Sequence, residues 1–561
     1  MRVQDIVESL LVKRGIKRED IASFLDPSLK QLVKASCIPG LAKATDVIIP
    51  FVRDSRPIVV FGDYDCDGVC ASAILVMALQ RIGAKVSVFL PDRFTEGYGL
   101  TPKSIGRMLK ENPEVALVIT VDCGITSFKE VKTLKERGIA VVVTDHHLPP
   151  SVLPECDALV DPKTVEQRDV AEMLGVKDLC GAGVAFFLAN MIAARATEIG
   201  LYKGEKFGAP LLVLAGLATV VDIVPLTAQN RILVASALKT FRHAPVGLVE
   251  LLLRAQRRPA ELTSRDFGFL LGPRINAAGR MASAREAYDL LMASEREPAR
   301  EFAQRVDVRN SERKSVEDRM SKEAVSQIAG AAEAAIVVDD GNGFKWHTGV
   351  CGIVASRILD KFNVPVAVVV GAHGSARAPE GYDIHAALAS CESCLERFGG
   401  HKAAGGFTVK EGMLEEFRRA FQDICARQRD ESGIVCRDGA IPEPDMWISP
   451  SDISMELHEG ISRMAPFGEG NPEPVFGVRG IVFSDVKLMG ENGKHAAFSF
   501  AGQRMPRATW WNKGNEAEKI RSQSASRFDM TFTIDVSDWG SEEPHVELRI
   551  RDVCESGEKS F

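Results

Sequence analysis

Pro57-Ile-Val-Val-Phe-Gly-Asp-Tyr-Asp-Cys-Asp-Gly68 joins an apolar run to three carboxylates at alternating positions, Asp63, Asp65 and Asp67. Ile58, Val59, Val60 and Phe61 are β-branched or aromatic without a polar residue among them, the pattern of a strand covered on both faces in a parallel sheet. Gly62 bounds that strand. Three negative charges crowded at one strand end repel one another, and a fold tolerates this where a divalent cation neutralises them. The plainer alternatives are an acidic turn or a calcium loop. Against the calcium loop, Gly68 opens directly into an apolar helical pattern, Val69–Leu79, with no twelve-residue loop closed by Glu.

Three further apolar runs end the same way. Val115–Val121 stops at Asp122-Cys123-Gly124, and Ile139–Val143 stops at Thr144-Asp145-His146-His147. Leu211–Val221, read as a fourth strand, stops at Asp222 before Ile223-Val224-Pro225. In an open parallel α/β sheet, ligands gather outside the carboxyl ends of the strands. A lone aspartate after a strand is often only the cap of the next helix; four such ends together predict one convergent metal site. Carboxylates mixed with neutral imidazole suit Mn²⁺ or Mg²⁺, the histidine favouring Mn²⁺. Two such ions about 3.5–4 Å apart activate water and stabilise a departing oxygen, so the residues point to phosphoryl or phosphodiester hydrolysis.

The bulk properties are compatible with this. A chain of 561 residues has room for three or four domains at roughly 100–200 residues each. Its apolar and charged fractions, 45% and 26%, exclude large-scale disorder. A formal net charge of −7 does not advertise a nucleic-acid binder, but bound cations offset several carboxylates in that sum. The twelve cysteines show no framework of paired spacings, and Cys70, Cys123, Cys180 and Cys351 lie in or beside apolar runs, as reduced buried thiols do. Cys391-Glu-Ser-Cys394 falls within a helical pattern, Ala386–Phe398, with no second pair to complete a zinc site. The N-terminus is too charged for a secretory signal, and the longest apolar stretch, Ala209–Val221, is short for a membrane span. A reduced cytoplasmic protein without membrane partners is expected.

Along the chain, residues 1–54 read as an N-terminal helical segment, two short helices around Leu25-Asp26-Pro27-Ser28 with the second at Ile38–Val52. Residues 55–228 alternate apolar runs with helical patterns such as Ser127–Arg137 and Cys180–Ala194, implying βαβ units and a parallel sheet. Gly181-Ala-Gly183 opens the latter helix and permits close packing or approach to a ligand. Residues 229–330 read as a helical connector ending in the charge-rich pattern Glu297–Ile328. Residues 331–428 form a second α/β domain, with strands Ala334–Val338 and Pro365–Val370 flanking a helix Ile353–Lys361. Three glycine-bearing turns there, Trp346–Gly349, Gly374–Arg377 and Phe398–Lys402, carry Ser, Arg or His donors and predict phosphate binding. Residues 440–561 show short alternating runs without helices between them, the pattern of a small all-β barrel or sandwich. Trp510 and Trp511 stand near Arg504, Arg507 and Lys513; base stacking and core packing are both open readings of the tryptophans.

Taken together these motifs resemble those of the DHH phosphoesterases and, within them, the RecJ family of single-stranded-DNA-specific 5′→3′ exonucleases. Gly62–Gly68, Val121–Gly124, Asp145–His147 and the Asp222 segment are similar to the four phosphoesterase motifs. Gly272–Arg280, Trp346–Arg357, Gly374–Arg377, Phe398–His401 and Ala465–Phe476 are similar to the further signatures of the family. The resemblance implies an α/β fold: a parallel-sheet DHH domain, a long helical connector, a second α/β domain of the DHHA1 type and a C-terminal OB-like nucleic-acid-binding barrel. It implies Asp65, Asp67, Asp122, His146 and Asp222 as metal ligands for two Mn²⁺ or Mg²⁺ ions, Asp122 bridging. Asp63 and His147 would orient water or the scissile phosphate, with Asp145 supporting the histidine pair. Arg280 and His401, with Asn276 and Gly400 in the same motifs, would contact substrate; Arg93, Ser375 and Arg377 would form the pocket for the 5′ end, and Tyr98 would stack on a base. The 5′→3′ polarity, a role in DNA repair and recombination, helicase and single-strand-binding partners and a monomeric state are implied by the resemblance alone. One departure is Asp161-Pro162, where the family has Asn-Pro, which predicts altered loop hydrogen bonding; the following loop, Lys163–Lys177, lacks the family's short Pro-rich form. Competing readings fit less well. A pyrophosphatase of the superfamily has a histidine where Phe61 stands, a cyclic-dinucleotide phosphodiesterase lacks the C-terminal barrel, and degenerate scaffold relatives have lost ligands that are present here.

Overall fold

The computed structural model describes residues 2–204, 208–328, 335–341, 345–432, 443–502, 505–522, 526–537 and 543–557. The first sheet has five parallel strands: β1 (Ile58–Phe61), β2 (Val86–Phe89), β3 (Leu117–Thr120), β4 (Ala140–Thr144) and β5 (Ala158–Val160), in the order β2-β1-β3-β4-β5. Successive residues of β1 enter different cores. Ile58 and Val60 pack with the helices Leu41–Arg53, Cys66–Arg81 and Gly181–Glu198, while Val59 and Phe61 pack with Ile105, Met108, Val131 and Leu134 on the other face. Both faces are buried, which is why the strand reads as an unbroken apolar run rather than an alternating one. The order sets the carboxyl ends of β1, β3 and β4 side by side.

One expectation for this domain is corrected. Leu211–Val221 is not a strand; Ala209–Val221 forms a helix, and Asp222 is its C-terminal cap residue. A continuous apolar run has no period that separates a buried strand from a buried helix. The discriminating facts are its length of 13 residues and its richness in Leu, Ala and Gly, too long and too weakly β-branched for a strand.

A run of helices between Ala228 and Gln327 follows, ending in a 32-residue helix, Arg296–Gln327. Its last turns pack through Met320 and Ala324 into the second sheet. That sheet comprises β6 (Ile336–Asp339), β7 (Val366–Val370), β8 (His373–Arg377), β9 (Leu395–Gly400) and β10 (Ala404–Val409), in the order β6-β7-β8-β10-β9, parallel only between β6 and β7. The helix expected over Ala386–Phe398 is shorter. It spans Ile384–Ser390, a 3₁₀ turn covers Glu392–Cys394, and the chain then runs extended into β9. The Ser and Cys side chains at 390–394 are weak helix formers, and the aromatic–Gly–Gly run beyond them fits a strand leading into a turn. Cys391 and Cys394 are buried in this domain's core, as structural thiols.

The third sheet has β11 (Met446–Trp447), β12 (Phe476–Ile481), β13 (Phe483–Met489), β14 (His495–Phe500), β15 (Ala508–Trp510), β16 (Phe528–Ser537) and β17 (His545–Glu555), in the order β11-β12-β16-β17-β15-β14-β13. The architecture is OB-like, but hydrogen bonding does not close a barrel; β11 and β13 are edges. Nor is the region free of helices: Met455–Ser462 and Gly514–Arg521 lie within it. The N-terminal helix Val3–Lys13 inserts Ile6, Val7, Leu10 and Leu11 into this third core, whereas Leu41–Arg53 packs on the first sheet. The two ends of the chain therefore share one core. Among the described residues no single helix is long and apolar enough to cross a membrane.

Candidate active site

Asp63, Asp65 and Asp67 leave β1, Asp122 leaves β3, and Asp145, His146 and His147 leave β4, on three adjacent strands. Asp222 arrives from the C-terminus of the helix Ala209–Val221. Asp65 caps the helix Cys66–Arg81, its Oδ1 accepting from the Gly68 amide at 3.0 Å. The Asp67 carboxylate accepts from the amides of Gly181 at 2.6 Å and Ala182 at 2.8 Å, the first free N–H groups of the helix Gly181–Glu198. A helix N-terminus favours negative charge there. Gly181 is required for steric reasons: a Cβ on it would lie 2.6 Å from Asp122 Cβ. Asp122 itself has a left-handed backbone, φ 60°, a conformation costly for a non-glycine residue and concentrated at functional sites.

Three carboxylates surround one imidazole nitrogen. His146 Nε2 lies 3.0 Å from Asp122 Oδ1, 3.6 Å from Asp67 Oδ2 and 3.7 Å from Asp222 Oδ2. Both ring nitrogens of His146, Asp122 Oδ1 and Asp63 Oδ1 are buried without an aligned hydrogen-bond partner. Three sets bring ligand atoms within 4.8 Å of one another: Asp67, His146 and Asp222; Asp63, Asp65 and Asp122; and Asp122, His146 and His147. Asp122 and His146 each belong to two sets.

The electrostatics follow from burial. Burial, then the neighbouring carboxylates, pushes Asp63 and Asp122 well above the carboxylate range. Burial and then Asp65 push Asp67 up to about 6, and burial and then Asp67 push Asp222 up to about 8. Burial and then His147 push His146 down to about 3, so its ring is neutral and its lone pair free at neutral pH. Buried, mutually repelling carboxylates beside a neutral imidazole with orphaned nitrogens fit divalent cations well. His147 differs. Burial opposes its charge, but the hydrogen bond from Nδ1 to Asp145 Oδ1 at 2.7 Å outweighs this and lifts its pKa to about 9. Asp145 also accepts from the backbone amides of Ile125 (2.9 Å), His146 (2.8 Å) and His147 (3.2 Å), which fixes it as an orienting anion. The Tyr98 hydroxyl donates to the Asp122 carbonyl at 3.2 Å and lies 3.3 Å from His147 Nδ1.

A cationic seam runs beside this cluster, formed by Arg93 from the first domain, Arg280 from the helical connector and Arg377 from the second domain. The Arg93 guanidinium sits 4.8 Å above the Tyr64 ring, within the first motif. Arg280 is half-buried; loss of solvation and then Arg93 push its pKa down to about 10, and its Nη1 donates to the Gly349 carbonyl at 3.3 Å. Arg377 Nη1 donates to Ser375 Oγ at 2.9 Å. Gly352, in the first turn of the helix Cys351–Phe362, approaches both so closely that a Cβ would lie 3.0 Å from Arg377 Nη2 and 3.2 Å from Ser375 Oγ. Asn276 has a structural duty within this frame, its Oδ1 accepting from the Cys66 amide at 2.8 Å. Gly400 and His401 lie in the exposed hairpin between β9 and β10. No hydrogen bond or ion pair among the described residues joins His401 to the strand-end cluster.

Elsewhere, Asp161 is fully buried. Its Oδ1 accepts from the Lys163 amide at 2.8 Å, Oδ2 has no partner, and burial raises its pKa to about 7. The loop beyond it contains a short helix, Arg168–Met173. Trp510 is buried with its ring 6.2 Å from that of Phe498, whereas Trp511 is exposed with its ring 4.7 Å from that of His495. Arg504 lies outside the described residues. Sequence reasoning missed the amides of Gly181 and Ala182 as the partners of Asp67, although the Gly-Ala-Gly opening was visible. It also missed Arg313, one of many charges on the connector and indistinguishable there from solvent-facing neighbours.

The description DHH family, N-terminal domain, matches residues 57–215; DHHA1 domain matches 322–427; RecJ OB domain matches 444–552. The chain is 32% identical to the single-stranded-DNA-specific exonuclease RecJ of Bacillus subtilis (strain 168) over 99% of its own length and 69% of that protein's. It is 34% identical to the protein of the same name from Dickeya dadantii (strain 3937), over 84% of this chain and 83% of that one. Among solved structures, RecJ in complex with Mn²⁺ from Thermus thermophilus superposes with a TM-score of 0.79 at 29% identity, covering 97% of this chain and 75% of that chain. A Mg²⁺ complex from the same source superposes with a TM-score of 0.73 at 27% identity, over 97% and 74% of the two chains.

Proposed function

This chain belongs to the RecJ family, and we propose that it is a metal-dependent exonuclease that hydrolyses single-stranded DNA from the 5′ end in DNA repair and recombination. The observation that carries this reading is the buried ring of carboxylates around His146 Nε2, faced by the Arg93, Arg280 and Arg377 seam. Asp65, Asp67, Asp122, His146 and Asp222 would hold Mn²⁺ or Mg²⁺, with Asp122 shared. Bound divalent ions supply water of lowered pKa and neutralise charge on the phosphate during hydrolysis.

The protein's own groups do the rest. His147 is held in place by Asp145 and, with a pKa of about 9, carries its proton at neutral pH. Nδ1 is committed to Asp145, so Nε2–H is the donor available to substrate oxygen. Asp63 orients water from beside the cluster. Arg280 and His401 bind the scissile phosphate, and Gly400 lets the hairpin bring His401 to it. Arg93, Ser375, Arg377 and the first turn of Cys351–Phe362 seat the terminal 5′ phosphate. Asn276 contributes by holding the first motif, and Tyr98 lies where a base would stack. The C-terminal sheet, with Trp511 on its surface, tracks the remainder of the strand.

The decisive experiment digests end-labelled oligonucleotides, single- and double-stranded and blocked at either end, with Mn²⁺ titrated in. Mononucleotide release from the free 5′ end of single strands is expected. Release from the 3′ end, or equal rates on duplex, overturns the reading. The same reading calls for a helicase and a single-strand-binding protein as partners, and for a cytoplasmic monomer. A dimeric mass by light scattering would remove the last of these.

A further inference from the structure

Beside the metal cluster lies a surface that the preceding reading leaves unused. Residues Phe267–Leu271 form a single π-helical turn, a feature frequent at functional sites. The turn is tied to the helix that delivers Asp222: a Cβ on Gly268 would touch Val220, and one on Gly272 would lie 2.4 Å from Val221 Cγ2. Between these two anchors Phe269 points away from the protein, 79% exposed. Ile223, the residue after Asp222, is 70% exposed and has φ 58°, an uncommon strain for a β-branched side chain. The Arg265 guanidinium stands 5.7 Å from the Phe269 ring centroid. Two large apolar side chains exposed on segments that adjoin a catalytic cluster call for an occupant.

Gly268 also lines a cavity of about 190 Å³ with Asn276, Arg280, Arg313 and Ile353. Arg313 comes from the long connector helix. It pairs with Glu317, and Asn310 Oδ1 accepts from its Nη2 at 3.2 Å. Glu317 is shared with Arg357 at 2.6 Å, so one buried carboxylate serves two guanidiniums. Arg313 Nε is buried without a partner, and Arg313 and Arg280 are close enough to oppose each other's charge. The cavity therefore favours an anion. The segments that carry Phe269 and Asp222 both touch the C-terminal lobe. Ser264 Oγ donates to the Phe467 carbonyl at 2.5 Å, and the Leu226 amide donates to the Glu469 carbonyl at 2.7 Å. These two bonds fasten the segments beside the cluster to the C-terminal lobe.

We infer that Phe269, with Ile223 and Arg265, is a base-stacking platform, and that Arg313 in the adjoining cavity holds the phosphate of the same nucleotide, next to the scissile phosphate held by Arg280. This builds one nucleotide subsite on the strand's path from the metal cluster to the C-terminal sheet. The inference rests on the exonuclease reading above. A bare aromatic face selects for single strands, because a base in duplex has its faces already stacked, and it does so without reading sequence.

The test is a coupling measurement in EDTA, where no cleavage occurs. Fluorescence anisotropy follows binding of a labelled oligo-dT of about 12 nucleotides, within the span of one such lobe, intact or with a single abasic site moved along it. Phe269→Ala is expected to weaken binding of the intact strand roughly 5- to 100-fold, and Phe269→Trp to retain it. At one position the abasic site should weaken the wild type by a similar factor and Phe269→Ala not at all. The salt dependence of binding should be unchanged by Phe269→Ala, since no phosphate contact is lost. Abasic profiles that superimpose at every position, or Phe269→Ala binding like the wild type, overturn the platform and leave a protein partner or a second copy as its occupant. Digestion of the same oligonucleotide by wild type with Mn²⁺ is run alongside: absence of digestion refutes the exonuclease reading, whereas digestion without coupling refutes the platform alone.

Discussion

Gly181→Ala is the sharpest perturbation of the proposed metal centre that leaves every ligand in place. The added Cβ would lie 2.6 Å from Asp122 Cβ and 2.9 Å from its Cγ. Carbon atoms rest at about 3.5–4.0 Å, so the two must separate by about 1 Å. Asp122 has little freedom to yield, being buried with a left-handed backbone. If instead the helix recoils, it withdraws the Gly181 amide from Asp67, a bond of 2.6 Å. Either route displaces a ligand by about 1 Å, a misplacement that costs on the order of 100-fold in rate; overpacking adds about 1–3 kcal/mol of destabilisation. The assay is the initial rate of oligonucleotide digestion across a Mn²⁺ titration, with Mn²⁺ affinity from calorimetry and Tm as the check on folding. A rate fall of about two orders of magnitude, together with weaker Mn²⁺ binding, is expected. Ala182→Gly is the control; it keeps both amide donors, adds no atom, and costs up to about 1 kcal/mol of stability. A Gly181→Ala protein with wild-type rate and Mn²⁺ midpoint would refute the claim that this contact sets the position of Asp122.

Three other outcomes are expected. Asp122→Ala should abolish cleavage and leave single-strand binding largely intact; a variant that keeps roughly a tenth of the activity would remove Asp122 from the shared position, because loss of a ligand common to two ions costs far more. Mn²⁺ should support digestion much better than Ca²⁺, which takes 6–8 oxygen ligands and not imidazole; equal rates would count against the ligand set. Metal-free protein should lose stability as pH rises from about 6.5 to 8. Folding raises Asp222 from 3.8 to about 8 and His147 from 6.5 to about 9, so in that window the folded state binds more protons than the unfolded. Each excess proton lowers stability by about 1.4 kcal/mol per pH unit. Saturating Mn²⁺ should flatten the fall, and metal-free melting temperatures that rise across this range would contradict the burial of Asp222.

The centre of the parallel sheet was legible because β1, β3 and β4 are covered on both faces and appear as apolar runs with their functional residues at one end. The half-exposed edge strand β2 and the three-residue β5 left no such run. Asp222 was found for a partly mistaken reason. Its apolar run is a helix, not a strand, and a buried helix without a polar face carries no period to reveal itself. The end of the run still mattered, because a helix terminus delivers a side chain to a site as well as a strand terminus does. The C-terminal helices Met455–Ser462 and Gly514–Arg521 were hidden for the opposite reason: short and mostly polar, they sit among strand patterns that dominate the region.

From the order of residues alone came the identity of the chemistry: which carboxylates and imidazoles are present, and that they stand at the ends of buried runs. Those facts are local, set by residue type and spacing. The three-dimensional fold alone decided that Gly181 and Ala182 hold Asp67, that His146 faces three carboxylates, and that His147 is turned toward Asp145. It also decided that the N-terminal helix completes the C-terminal core and that Gly268 and Arg313, forty-five residues apart, line a single cavity. These depend on approach distances between segments far apart in the chain. Close packing of whole elements sets such distances, and no pattern within either segment records them.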